Sequence, residues 1–306
     1  MEKVIGSFES FRGIVSSSFL DFAQRHCVLR DYEDVGFSFS PFVEFVREES
    51  DFLRQIGEEG ADLLVGLELL SSVFDLVVPA LFKAEESSSD ATTLAAVSRS
   101  ALSLSFFIRQ VLDVFRRCVW AGEDIPARIL ARTLSEAFDV LFLVSFDQRA
   151  SDDYTNGGDD PEKFYQKHIA RGSLPRRRTE LLNSLFGATI AREVEEYAGA
   201  EFRAFSQAVH PSYTAGVMLL LAAFPKQEND SYAFMSDWPC KRAVRFVLFS
   251  MSLSLALVAA RNDLWTTENK PRAGSMSETI HGATGLGFWV TTERTKSETA
   301  DNQHQA

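Results

Sequence analysis

Apolar residues recur at three- and four-residue spacing along most of the chain, and nowhere do they alternate as a half-buried strand would. Leu94, Val97, Ala101, Leu104, Ile108, Val111 and Phe115 trace one such row and predict a helix over about 91–120. The next helix, expected over Asp124 to Asp147, is the best marked in the chain. Asp124 stands where an N-cap belongs, Pro126 lies in the first turn, and Gly122 closes the helix before it. Arg128, Arg132, Ser135, Glu136 and Asp139 fall on one face of that helix, and Phe142, Leu143 and Phe146 continue it. Its second half is apolar all round, as in a buried helix, so two arginines and two acids run into a core. There they must pair with one another or with groups from other helices.

Elsewhere the same reading expects helices over 3–28, 42–57 and 60–84, with breaks at Gly57 and Gly60 and a kink at Pro79. Asp31 to Pro41 is expected as a loop and Glu85 to Thr93 as a boundary. A break at Ser151 to Pro161 precedes a short helix to Ala170, a basic turn over Arg171 to Arg178, and a helix ending near Gly187. Helices over 188–210 and 212–224 flank Pro211. A loop over Pro225 to Pro239 leads into an apolar helix over 240–262. From Thr266 the chain is polar and is expected to be mostly disordered. The fold class is therefore all-α: a multi-helix bundle with a buried polar network. Its parts are an N-terminal helical region 1–88, a core bundle 91–263 and a flexible tail 266–306.

Composition narrows the function classes. Forty-five per cent hydrophobic content over 306 residues can bury a large core, and 26 Phe against 17 Gly and 9 Pro suits long packed helices. A net charge of −12, from 31 basic and 43 acidic residues, argues against a broad nucleic-acid face. Cys27, Cys118 and Cys240 show no paired spacing, as in a reducing compartment, and the acidic start lacks a secretory pattern, so the expected location is cytoplasmic. The uncharged run Phe246 to Ala260 is fifteen residues long, short of the ~20 that cross a bilayer, and no membrane span is expected. His26, His168, His210, His281 and His304 are scattered with no HxxxH pair, and no phosphate-cradling glycine loop or nucleophile elbow occurs, so neither metal nor cofactor is expected.

The candidate chemistry lies in Glu201 to Tyr213, EFRAFSQAVHPSY. Arg203, Ser206, Gln207 and His210 line one side of a helix there, with Phe202, Phe205 and Val209 beside them. Pro211 biases His210 out of the α region, and the dipole at a helix C-terminus favours a protonated imidazole. One reading makes His210 a capping or core residue bonded to an acid such as Glu136. The other pairs Arg203 with His210 on a phosphodiester, the arginine neutralising phosphate and the histidine moving a proton, with no metal required. The two stand about 10 Å apart along the axis, so a dimer or a bent helix would have to join them at one phosphate. Arg171, Arg176, Arg177 and Arg178 with Lys163, Lys167 and His168 could grip phosphates or simply answer Asp152, Asp153, Asp159 and Asp160. Tyr165 shares a helix with His168 and could reach the central network.

Two resemblances follow from these motifs. R-x6-H, Arg203 to His210, resembles the motif of HEPN domains, the higher eukaryote and prokaryote nucleotide-binding superfamily. That likeness implies a metal-independent ribonuclease of a toxin or anti-phage defence system, acting as a homodimer on RNA. Over about residues 95 to 260, R-T-L-S-E (Arg132 to Glu136) and S-Q-A-V-H-P-S (Ser206 to Ser212) resemble a bacterial all-helical family known as domain of unknown function number 5677. The second likeness implies that Arg132, Glu136, Ser206, His210 and Ser212 converge between helices, without naming an activity. The expected function is a non-enzymatic module that binds a ligand or protein partner. The alternative is the HEPN-like endoribonuclease, with Arg203 and His210 catalytic and Arg128, Arg132, Glu136, Ser206, Ser212 and Tyr165 supporting or binding ligand.

Overall fold

A computed structural model describes residues 11–26, 38, 40–87, 93–156, 161–209, 238–260 and 284–291. Among these the chain is all-α, with no strand beyond a single bridge between Arg12 and Val15. In chain order the helices are α1 (Ser17–Arg25), α2 (Ser40–Glu48), α3 (Ser50–Gln55), α4 (Gly57–Ser87), α5 (Thr93–Trp120) and α6 (Asp124–Phe146). They continue as α7 (Gln148–Asn156), α8 (Pro161–His168), α9 (Ser173–Phe186), α10 (Ala188–Val209), α11 (Lys241–Ala260) and α12 (284–291). Two compact units emerge, one of Met1–Val77 with Val247–Ala306 and one of Val78–Phe246.

The first unit is built on α4. Leu63, Leu64, Leu67, Leu70 and Phe74 are buried on successive turns, so this stretch of helix is surrounded by packing. Asp62, also buried, reaches to the start of α1 and accepts from the Ser16 backbone N–H at 2.8 Å and the Ser16 hydroxyl at 2.6 Å. Ser16 Oγ in turn accepts from Phe19 N–H, which makes Ser16 the N-cap of α1. Residues 284–291 fall inside the segment expected to be disordered, yet they are helical. Leu286 and Val290 are buried, Trp289 stacks on Phe22 at 5.6 Å and Phe288 meets Phe249 edge-on at 6.0 Å. The rest of that tail lies outside the described residues.

The second unit is organised around α6, which packs against α5, α7, α9 and α10. α5 and α6 form one helical hairpin; α9 and α10 form another across Gly187, whose φ of 87° only glycine adopts without strain. Four expectations are corrected here. Asp124 is not the N-cap: Glu123 is, without a side-chain cap bond, and the Asp124 carboxylate, one residue inside the helix, pairs with Arg128. The break expected from Ser151 is helix α7 as far as Asn156, held from α5 by the Ser100 hydroxyl, which lies 2.9 Å from Ser151 Oγ and 2.7 Å from Thr155 Oγ1. The basic turn belongs to a helix from Ser173 onward, with Pro175 in its first turn. Gly60 also sits inside helix α4 rather than breaking it, and Pro79 lies within the same helix, as in the expected 60–84.

Candidate functional site

The polar face of α6 is met by the C-terminal half of α10. Arg128 donates from Nε to both oxygens of Asp124, at 2.8 and 2.9 Å, and its guanidinium lies 5.9 Å from the Phe205 ring centre. One turn on, Arg132 approaches Glu136 at 3.4 Å and covers Phe202 at 4.6 Å. Each cation thus sits between a carboxylate and an electron-rich ring face. Phe205 is fully buried, stacks on Phe246 at 5.1 Å, and is approached by Arg242 at 6.0 Å. Arg242 itself grips Glu201 through two bonds of 2.8 and 3.1 Å. Two groups near this face are held neutral: burial, reinforced by Glu201, raises the Tyr197 phenol, and burial, reinforced by Asp124, pushes the Cys240 thiol up to about 12.

Further along α6, Asp139 receives Nη1 of Arg178 from α9, while Nη2 of the same arginine reaches Glu195 of α10 at 2.7 Å. Thr179 Oγ1 lies 3.2 Å from the same Glu195 oxygen. Arg178 is 6% exposed, and its Nε is buried with no partner among the described residues. Burial works against the guanidinium charge, but Asp139 and Glu195 outweigh it, so the proton is held more firmly than on a free arginine. Burial also lifts the Asp139 carboxyl above the ordinary aspartate value, with Arg178 pulling the other way.

A second chain of polar contacts joins α8, α7 and α9. His168 is fully buried, its Nε2 2.7 Å from Asp153 and its Nδ1 2.9 Å from Arg177 Nη1. A guanidinium can only donate, so Nδ1 must accept and Nε2 carries the proton toward Asp153. Arg177 Nη1 also donates to Asp147 at 3.1 Å, and Lys167 pairs with Asp153. Hydrogen bonds from Lys167 and then His168 hold the Asp153 carboxyl below the usual range. Phe164 packs on the imidazole at 4.9 Å, with Tyr154 edge-on to Phe164. His168 is therefore locked from every side that is described.

The residues singled out in the sequence separate accordingly. Arg128, Arg132 and Glu136 gather between α6 and α10. Ser206 spends its hydroxyl on its own helix, donating to Phe202 C=O at 2.7 Å. Arg203 is exposed and has no carboxylate partner among the described residues, and Tyr165 is 46% exposed. His210 and Ser212 lie outside the described residues, so the R-x6-H pair is described at its arginine end. Sequence reasoning grouped Arg177 and Arg178 as a surface run and did not single out Glu195. The signal was there for Arg178: it stands between Leu174 and Leu182 in one buried row at four-residue spacing, where an unpaired charge could not survive.

Between α9 and α10 an open groove of roughly 560 Å³ is lined by Thr179, Asn183, Ala188, Ala191, Glu195 and neighbouring charged residues. Among the described residues no group of three or more His, Cys, Asp or Glu side chains is placed to hold a metal ion, and no helix is long and apolar enough to cross a membrane. Comparison with protein-family models, with curated proteins and with solved structures finds no match for the chain.

Proposed function

We propose that the chain is a non-enzymatic helical module that binds a protein partner, with the polar cluster around α6 serving architecture. One observation supports this most directly: each arginine that enters the core is paired with a carboxylate of the fold. Arg128 is matched by Asp124, Arg132 by Glu136 and the Phe202 ring, and Arg178 by Asp139 and Glu195. A catalytic cation needs free coordination for charge that develops in a transition state. Here the charge of each is already answered by a carboxylate of the fold.

A second reading, the HEPN-like metal-independent endoribonuclease, draws support from Arg203. Its exposed guanidinium has no carboxylate partner among the described residues and remains available to a phosphate. Expression of wild type, Arg203→Ala and His210→Ala in a bacterial host, with total RNA resolved on a gel, separates the two. The module reading expects equal growth, intact RNA and a lowered melting temperature for His210→Ala. Growth arrest and fragmented RNA with wild type, absent in both folded variants, would establish the ribonuclease instead.

A further inference from the structure

We infer that α8 is held by an acid-sensitive latch: buried His168, clamped between Asp153 of α7 and Arg177 of α9, docks the helix only while its ring is neutral. α8 spans eight residues, fewer than the roughly 12–15 at which an isolated helix holds in water, so tertiary contact must fix it. Helices are ordinarily docked by an apolar stripe. Among the described side chains of α8, however, His168 is the one that is buried. Phe164 is half-buried, and Lys163, Tyr165, Gln166 and Lys167 are exposed. The residue that seats α8 therefore belongs to the one side-chain type whose ordinary charge change falls between about pH 5 and 8.

The seat fits one protonation state. Arg177 can only donate, so its Nη1, 2.9 Å from Nδ1, requires a bare ring nitrogen there. The single ring proton then lies on Nε2, 2.7 Å from Asp153. A second proton, taken from water at Nδ1, would set two donors against each other. The ring is fully buried, so solvent does not replace Arg177 as a partner. A buried N–H without an acceptor bears its whole desolvation cost. Arg177 has an alternative, because it is partly exposed and keeps its bond to Asp147 at 3.1 Å. The imidazolium has none, and α8 lifts away with it.

The charges around the ring are already balanced. Asp147 and Asp153 come from the start and body of α7, Arg177 from α9 and Lys167 from α8 itself. Asp152 turns to Gln148 at 2.8 Å, Tyr154 packs edge-on to Phe164, and Arg171 of the intervening turn is exposed. Lys167 pairs with Asp153 and Arg177 with Asp147, so two cations answer two anions. Asp153 attracts charge to the ring, but at Nε2, where a proton sits in both states. The missing acceptor at Nδ1 then decides, and it disfavours the charged ring in this seat. Hydrogen bonds from Lys167 and His168 hold Asp153 below the usual carboxylate range, so it stays ionised while an imidazole titrates. Docking is complete at high pH and is lost as pH falls through the histidine range.

The test uses the full chain. Hydrogen exchange is read by mass spectrometry across a series from about pH 7.5 to about pH 5.5, corrected for intrinsic rates, beside nitrogen NMR of the imidazoles. His168→Asn keeps an oxygen that can accept from Arg177 and does not titrate. In wild type, protection over α8 should fall about tenfold or more across the series while α6 stays unchanged, with a midpoint that matches the titration of His168. His168→Asn, checked by circular dichroism, should show one level of protection throughout. A doubly protonated His168 at the upper end of the series would overturn the latch. So would wild-type protection that ignores pH or falls away from the His168 midpoint, or an equal fall in His168→Asn. The spectra and the midpoint need only the wild-type chain, so a variant that fails to fold leaves the latch decidable. The latch is independent of whether the chain is a binding module or a ribonuclease.

Discussion

Arg178 holds two carboxylates from two helices while nearly excluded from water, and that makes it the most consequential single side chain described. Removing it leaves Asp139 and Glu195 facing each other without a counter-ion. Arg178→Ala should therefore lower the unfolding free energy by about 3–5 kcal/mol, read from urea denaturation. The triple change Arg178→Met, Asp139→Leu and Glu195→Leu should recover most of it. A loss below about 1 kcal/mol for Arg178→Ala would mean that water or rearrangement replaces the pair. The two shifted aspartates act on acid stability with opposite sign. Asp153 has a lowered folded value, so its contribution is present above the unfolded value of about 3.9 and is lost as pH falls through the folded one. Asp139 is raised, so its contribution is full below the unfolded value and is lost as pH climbs through the folded one. Asp153→Asn should thus flatten the acid limb of a stability-against-pH curve, whereas Asp139→Asn should not. An unchanged acid limb in Asp153→Asn would show that its pairing with Lys167 and His168 is too exposed to count.

At the level of elements, periodicity made α5, α6 and α10 legible, since each repeats apolar residues over several turns. α7 was not legible. Its sequence, QRASDDYTN, is rich in residues that favour caps and turns. A contact from elsewhere in the chain stabilises it: the hydroxyl of Ser100 on α5 meets the buried Ser151 and Thr155 of α7. Tertiary contact overrides propensity here. Ser100→Ala should cost about 1 kcal/mol overall and raise amide exchange in 151–156 more than in α6. Uniform exchange changes across both helices would argue that α7 is held by its backbone alone. The candidate site divides in the same way. Arg128, Arg132 and Glu136 could be read from one helix because their partners lie within a turn or on the next aromatic face. Arg178 with Asp139, and His168 with Asp153 and Arg177, required the packing of α8, α9 and α10 to be known.

Across the whole molecule, the least expected feature is the burial of α12, which composition had assigned to a solvated tail. Gly287 explains how closely this helix is held. A Cβ there would come within 1.9 Å of Ser252 Oγ and 2.9 Å of a Leu70 methyl, so the helix approaches its neighbours at a distance only glycine allows. Gly287→Ala should lower stability by about 1–3 kcal/mol through overpacking, measurable as a fall in melting temperature. Adding Ser252→Ala removes the closest clash and should restore part of the loss. No change in Gly287→Ala would mean that α12 does not press against this part of the unit.

The unit that contains α12 is split in the gene: its first residues are translated early, and its last elements only after the whole intervening unit. At about 5–20 residues per second, the ribosome needs roughly ten to thirty seconds to cover residues 78–246. Throughout that interval Leu63, Leu64, Leu67 and Leu70 of α4 have emerged while the helices that complete their unit do not yet exist. Until then the buried face of α4 has only the earlier helices of its own unit to pack against, so a stalled or prematurely terminated message would leave that unit incomplete.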